Sequence, residues 1–141
     1  MTKRTFVKNL SAGMAAGAAL SVAQGIAAET TSVSPVGELK PGEIQHMVIF
    51  NLKHDKNAPE TLTFIKDGKR ILRAVPGVRN FQAFAQVSKK NDYDFGFSMV
   101  FSGPAEYEKY NTHSDHVGFV EQRWKKEVSR FLEIDFKAQA L

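Results

Sequence analysis

This chain has no cysteine among its 141 residues. That excludes disulfides, thiolate metal sites, a cysteine nucleophile and lipid attachment through a processed cysteine. It also has little net charge once its first segment is set aside. Lys3, Arg4 and Lys8 stand in a stretch without acids; removing them from the 19 Lys and Arg leaves 16 against 15 Asp and Glu. A domain near neutrality has no electrostatic footprint for nucleic acid. No internal repeat or low-complexity tract follows the first segment, and the length allows one domain. Without disulfides, such a domain relies on its core and on a partner subunit.

The first segment has its own logic. After the basic residues comes an apolar run, Leu10 to Ala28, made mostly of Ala and Gly, with small-residue cleavage sites at Gly25-Ile26-Ala27 and Ile26-Ala27-Ala28. This pattern predicts an export signal over residues 1–28. Ser21 and Gln24 interrupt the run, so no stable membrane span is expected after cleavage. Thr2 to Lys8 resembles a twin-arginine motif with Lys3 in place of the first Arg. That route is favoured over the general secretory one, and both lead to the periplasm or beyond. Residues 29–43, rich in Thr, Ser, Pro and Gly, predict a flexible linker.

From Ile44 the patterning changes. His46, Val48, Phe50 and Leu52 share one face of a strand over Ile44 to Leu52, with Met47 and Ile49 on the other. Asn57 and Glu60 suit a helix start, with Leu62, Ile65, Leu72 and Val75 as its apolar stripe. Pro76 ends it. Strands are expected over Val78–Val87 and Tyr93–Phe101, a short helix through Tyr107 and Tyr110, and a longer one over Ser114–Val128. Trp124 is expected to pack that helix onto the sheet, with Lys125 and Lys126 on its solvated face. Leu132, Ile134 and Phe136 alternate as a last strand, with Glu133 and Asp135 opposite. The order β-α-β-β-α-β predicts an α+β, ferredoxin-like domain over 44–137. Its helices cover only one sheet face, yet Met47 and Ile49 make the first strand apolar on both. A second subunit packed sheet to sheet would cover them; the linker or the C-terminal tail is the alternative.

The stretch Tyr110 to Phe119, Y-N-T-H-S-D-H-V-G-F, is the richest in chemistry. Tyr, His and Asp are side chains that move protons and orient polar substrates. His116 at a helix start would be kept neutral by the positive end of the helix, and so free to act as a base. Tyr110 could donate to a developing oxyanion. The alternative is a buried polar pair with no chemistry. His113, Asp115 and His116 are metal-ligand types, but no third ligand stands at a telling spacing, so no metal is expected.

Four pieces, Gln45-His46-Met47-Val48-Ile49-Phe50, Val75-Pro76-Gly77-Val78, Tyr93-Asp94-Phe95-Gly96-Phe97 and Tyr110-x-x-His113-x-x-His116-x-x-Phe119, resemble in order and spacing the stress-responsive α/β-barrel domain family. The resemblance covers about Glu43 to Phe136. It implies a dimeric α/β barrel with a cleft between sheet and helices, and no cofactor. In its His/Tyr motif the chain is similar to the family's olivetolic acid cyclase, which implies catalytic roles for His116 and Tyr110 and a cleft position for His46. Phe95 stands where that enzyme has a cleft His, and Ser114 replaces the family's usual Pro. Phe95, Phe50, His113 and Phe119 are the expected ligand-binding residues. The expectation is an exported homodimer binding a small apolar carbonyl or phenolic ligand, with cofactor-free acid/base chemistry. A non-catalytic stable module is the alternative, and a barrel-type monooxygenase a lesser one.

Overall fold

Alternation of apolar and polar residues extends the chain from Ile44 to Leu52, and this strand, β1, becomes a centre of the sheet. The computed structural model describes residues 37–141. The export signal expected over 1–28, and the linker expected over 29–43 up to residue 36, lie outside the described residues. The end of that linker forms a turn. Glu43 is buried, and its carboxylate accepts from the Lys40 amide at 3.0 Å and from Arg79 at 2.8 Å.

The order is β1, α1 (Pro59–Leu72), β2 (Arg79–Ala85), β3 (Phe95–Phe101), α2 (Pro104–Thr112), α3 (Ser114–Phe119), a π-helical turn (Val120–Trp124), α4 (Lys125–Glu127) and β4 (Val128–Lys137). The strands form one four-stranded sheet in the order β2-β3-β1-β4. Every pairing is antiparallel. This is the ferredoxin-like α+β arrangement.

Register determines which residues meet. His46 faces Met99 and Asp135, Val48 faces Phe97 and Glu133, and Phe50 faces Phe95 and Phe131. Those residues form the face that the helices cover. Phe64 of α1 meets Phe50 edge-on at 5.9 Å between ring centres, and Phe119 of α3 lies 5.5 Å from Phe64. Phe50, Phe64, Phe97 and Phe101 are fully buried. The opposite face carries Met47 beside Ile134 and Ile49 beside Leu132.

Several boundaries differ from expectation. Asn57 does not cap α1. Ala58 holds the cap position without a side-chain bond, and Pro59 presets the first helical turn. The buried stripe of α1 is Thr61, Phe64, Gly68 and Leu72, one step round from the expected set, and Leu62 is exposed. Phe64 wins because the helix docks where Gly68 has no side chain. A Cβ there would come 2.8 Å from the ring of Phe97. The helix also ends at Leu72, ahead of Val75, which is buried in the turn that follows. Strand β2 is shorter than expected. Asn80 has φ of 49° at a bulge near its start, and Val87 beyond its end is exposed. Tyr93 and Asp94 fall outside β3. The Asp94 amide donates instead to the Asn51 side chain at 2.9 Å.

Candidate functional site

Between the helix-covered face and the helical segment 104–127 lies a cavity of about 320 Å³. Its walls are mostly apolar: Val48, Leu72, Phe97, Met99, Phe119, Val120, Trp124 and Phe131. His46, Tyr110, His116, Lys125 and Glu133 supply the polar groups. An apolar hollow with a few convergent polar side chains is the usual form of a small-molecule site.

The helical segment is not regular. The Lys125 amide donates to the Val120 carbonyl, five residues back, which marks a π turn. Such turns are rare and recur at functional sites. Val120 and Trp124, the first and last residues of this one, both line the cavity. Trp124 also packs onto the sheet as expected, 4.9 Å from Phe50.

His46 enters from β1 and is buried. Its Nδ1 lies 2.7 Å from Asp135 Oδ1 on the neighbouring strand and 2.9 Å from the Tyr107 hydroxyl. The Tyr107 hydroxyl donates to both Asp135 oxygens, at 3.2 and 3.1 Å. A carboxylate only accepts, so the His46 proton sits on Nδ1 and Nε2 keeps its lone pair. His116 is arranged the same way. Its Nδ1 donates to the Asn111 carbonyl at 3.2 Å, which leaves Nε2 free. Burial holds the His116 imidazole below its usual pKa, against the opposing pull of that hydrogen bond. Desolvation is the leading cause.

Tyr110 lies against His116, with ring centres 4.1 Å apart. It is 2% exposed, yet among the described residues its hydroxyl has no hydrogen-bond partner and is not sealed from the cavity. Burial raises its pKa strongly, so it stays a neutral donor. Tyr107 is likewise raised, by burial and by the charge of Asp135. The site therefore presents a free phenol and imidazoles with free Nε2 atoms on an apolar background.

Among the residues expected at the site, His46, Tyr110, His116 and Phe119 meet at this cavity. Phe50, Phe95 and His113 are not among its lining residues. Phe95 pairs with Phe50, whereas His46 pairs with Met99. Four residues along a strand is roughly 13 Å, and Phe95 borders a separate groove with Leu62 and Phe84. Phe50 is fully enclosed in the core. His113 caps α3, its Nδ1 accepting from the Asp115 amide at 3.1 Å. Arg123 reaches Asp67 at 2.6 Å and Glu127 at 2.5 Å. No group of three or more His, Asp or Glu among the described residues could hold a metal ion.

Asp135, Glu133 and Tyr107 did not stand out in the sequence. The signal was present: period-two alternation put Glu133 and Asp135 together on one face. Only the register with β1 shows that this face is the helix-covered one, and that Leu132 and Ile134 point away from it.

The model of the Dabb family, the stress-responsive A/B barrel domain, matches residues 44–138. Comparison with curated proteins gives no match. Among solved structures, a Dabb family protein with a ferredoxin-like fold from Mesorhizobium loti is 48% identical, covering 70% of this chain and 99% of its own, with a TM-score of 0.69. A dimeric ferredoxin-like protein of unknown function from Thermobifida fusca is 19% identical, covering 70% and 93%, with a TM-score of 0.58. The hydroxynitrile lyase of Passiflora edulis is 9% identical, covering 72% and 98%, with a TM-score of 0.63. The last two likenesses are of fold alone. With the family model spanning most of the chain and a near-half-identical relative matched over almost its whole length, this protein belongs to the stress-responsive A/B barrel domain family.

Proposed function

We propose that this protein binds a small apolar carbonyl or phenolic molecule in the cavity and performs acid/base chemistry on it without a cofactor. The carrying observation is the convergence on one apolar cavity of His46 and His116, each with Nδ1 engaged, and of Tyr110 with an unengaged hydroxyl. His116 Nε2 takes a proton from an acidic carbon or hydroxyl. Tyr110 donates to the oxyanion that develops. His116 then returns the proton it took, while His46, held through Nδ1 by Asp135, orients the ligand with its free Nε2. Apolar walls strengthen each of these interactions by excluding water.

The Passiflora lyase lends the reading support by its fold. The dimeric Thermobifida protein supports a homodimer, and the outer sheet face is suited to one. Phe84, Leu132 and Phe136 are exposed there, and a second copy would cover them together with Met47 and Ile49. The N-terminal sequence supports export to the periplasm, with the twin-arginine route favoured. A second reading, a stable non-catalytic module, draws on the hydrogen bonding: among the described residues no buried side-chain polar atom lacks a partner.

Native mass spectrometry of the protein with phenolic and carbonyl compounds tests these readings, beside separate His116→Ala and Tyr110→Phe variants. A retained ligand that is turned over by the wild type and not by folded His116→Ala supports the chemistry. No turnover, with His116→Ala chiefly losing stability, supports the module.

A further inference from the structure

Glu133 lies on the helix-covered face of β4, opposite Val48, which is 6% exposed and apolar. Its own side chain is exposed, so the carboxylate keeps contact with water while bordering the cavity. Among the described residues Glu133 makes no ion pair or side-chain hydrogen bond. Asp135, two residues on, is already committed to His46 and Tyr107. Glu133 lines the cavity with Trp124 and Phe131, whose rings meet edge to face at 5.7 Å. Its negative charge is felt at Tyr107, Tyr110 and His116. The one ammonium on the cavity wall, that of Lys125, is held by Glu121 one helical turn back.

A carboxylate beside aromatic faces attracts organic cations and repels acids, because both the charge and the ring quadrupoles favour a positive group. We infer that Glu133 is the specificity-determining residue of this cavity, favouring an apolar ligand that bears an amine and rejecting one that bears a carboxylate. This rests on the reading of the cavity as a ligand site.

The test uses three molecules of matched shape: cyclohexylmethylamine, cyclohexylmethanol and cyclohexanecarboxylate. Trp124 is the sole tryptophan and lines the cavity, so its fluorescence reports binding there, and none of the three molecules absorbs at its wavelengths. In the wild type the amine should bind tightest and the acid weakest. In Glu133→Gln the alcohol's Kd should hold within about twofold, while the amine-to-acid preference falls by roughly tenfold, because attraction of the amine and repulsion of the acid are lost together, each on the scale of one partly exposed charge contact. If the alcohol binds both proteins and the preference is unchanged in Glu133→Gln, the inference is overturned and the cavity reading stands. If none of the three changes Trp124 fluorescence in either protein, both are overturned.

Discussion

His46 and His116 are arranged alike: each offers Nδ1 to a group that can only accept, a carboxylate for one and a carbonyl for the other. Nitrogen-detected NMR of the imidazoles should therefore find a proton on Nδ1 of both. Asp135→Asn should disturb His46 alone; a His46 that keeps its proton on Nε2 in the wild type would contradict the geometry. His116 also makes a prediction about pH. Its pKa is lowered by burial, so the unfolded chain takes up this proton before the folded one does. The stability it contributes is present above its ordinary value of about 6.5. It is lost as pH falls through the folded value. Urea unfolding at successive pH values should show a decline that starts near 6.5 and runs down to the folded value, shallower in His116→Gln. If His116 is the base, activity should persist to a lower pH than an ordinary histidine would allow.

Two elements owe their placement to single contacts. Helix α1 lies close to the sheet because Gly68 presents only hydrogen to Phe97 and Phe119. Gly68→Ala gains up to about 1 kcal/mol of helix propensity. It also drives a methyl group into the Phe97 ring, and overpacking of that kind costs about 1–3 kcal/mol. The expected outcome is a net loss in chemical denaturation, opposite in sign to the usual effect of this change in a helix. The π turn and α4 are tied to α1 by Arg123, which bonds Asp67 and Glu127. Arg123 holds the Asp67 carboxyl below its usual range. Burial pushes Glu127 up, but bonds from Arg123 and His54 outweigh it. Arg123→Ala should cost about 1 kcal/mol and lose most of that effect in high salt, since these groups are partly exposed.

At the scale of the whole molecule, the outer face of the sheet is where the proposed dimer would form. Leu132 and Phe136 of β4 and Phe84 of β2 stand exposed on either side of Met47 and Ile49. A single Leu132→Lys change leaves the helix-covered core untouched and places a charge in the proposed interface. Analytical ultracentrifugation should show the wild type as a dimer and this variant shifted to monomer. A wild type that sediments as a monomer would count against the sheet-to-sheet packing.

Much of the fold was legible in the chain because periodicity is a local property. Alternation marked β1 to its ends, and the order of elements determined the ferredoxin-like class. His46, Tyr110 and His116 could be singled out because their side-chain chemistry has little use in a plain core. The stripe of α1 was misjudged by one position because Leu62 is as apolar as Phe64, and only docking against Phe97 chooses between them. The sequence by itself determined the elements, their order and the residue types able to move protons. The tertiary structure alone decided that Asp135 orients His46, that Phe95 and His113 stand apart from the cavity, and that Glu133 faces into it. The reason is register: strand pairing joins residues 89 positions apart, His46 with Asp135, and no local pattern carries that information.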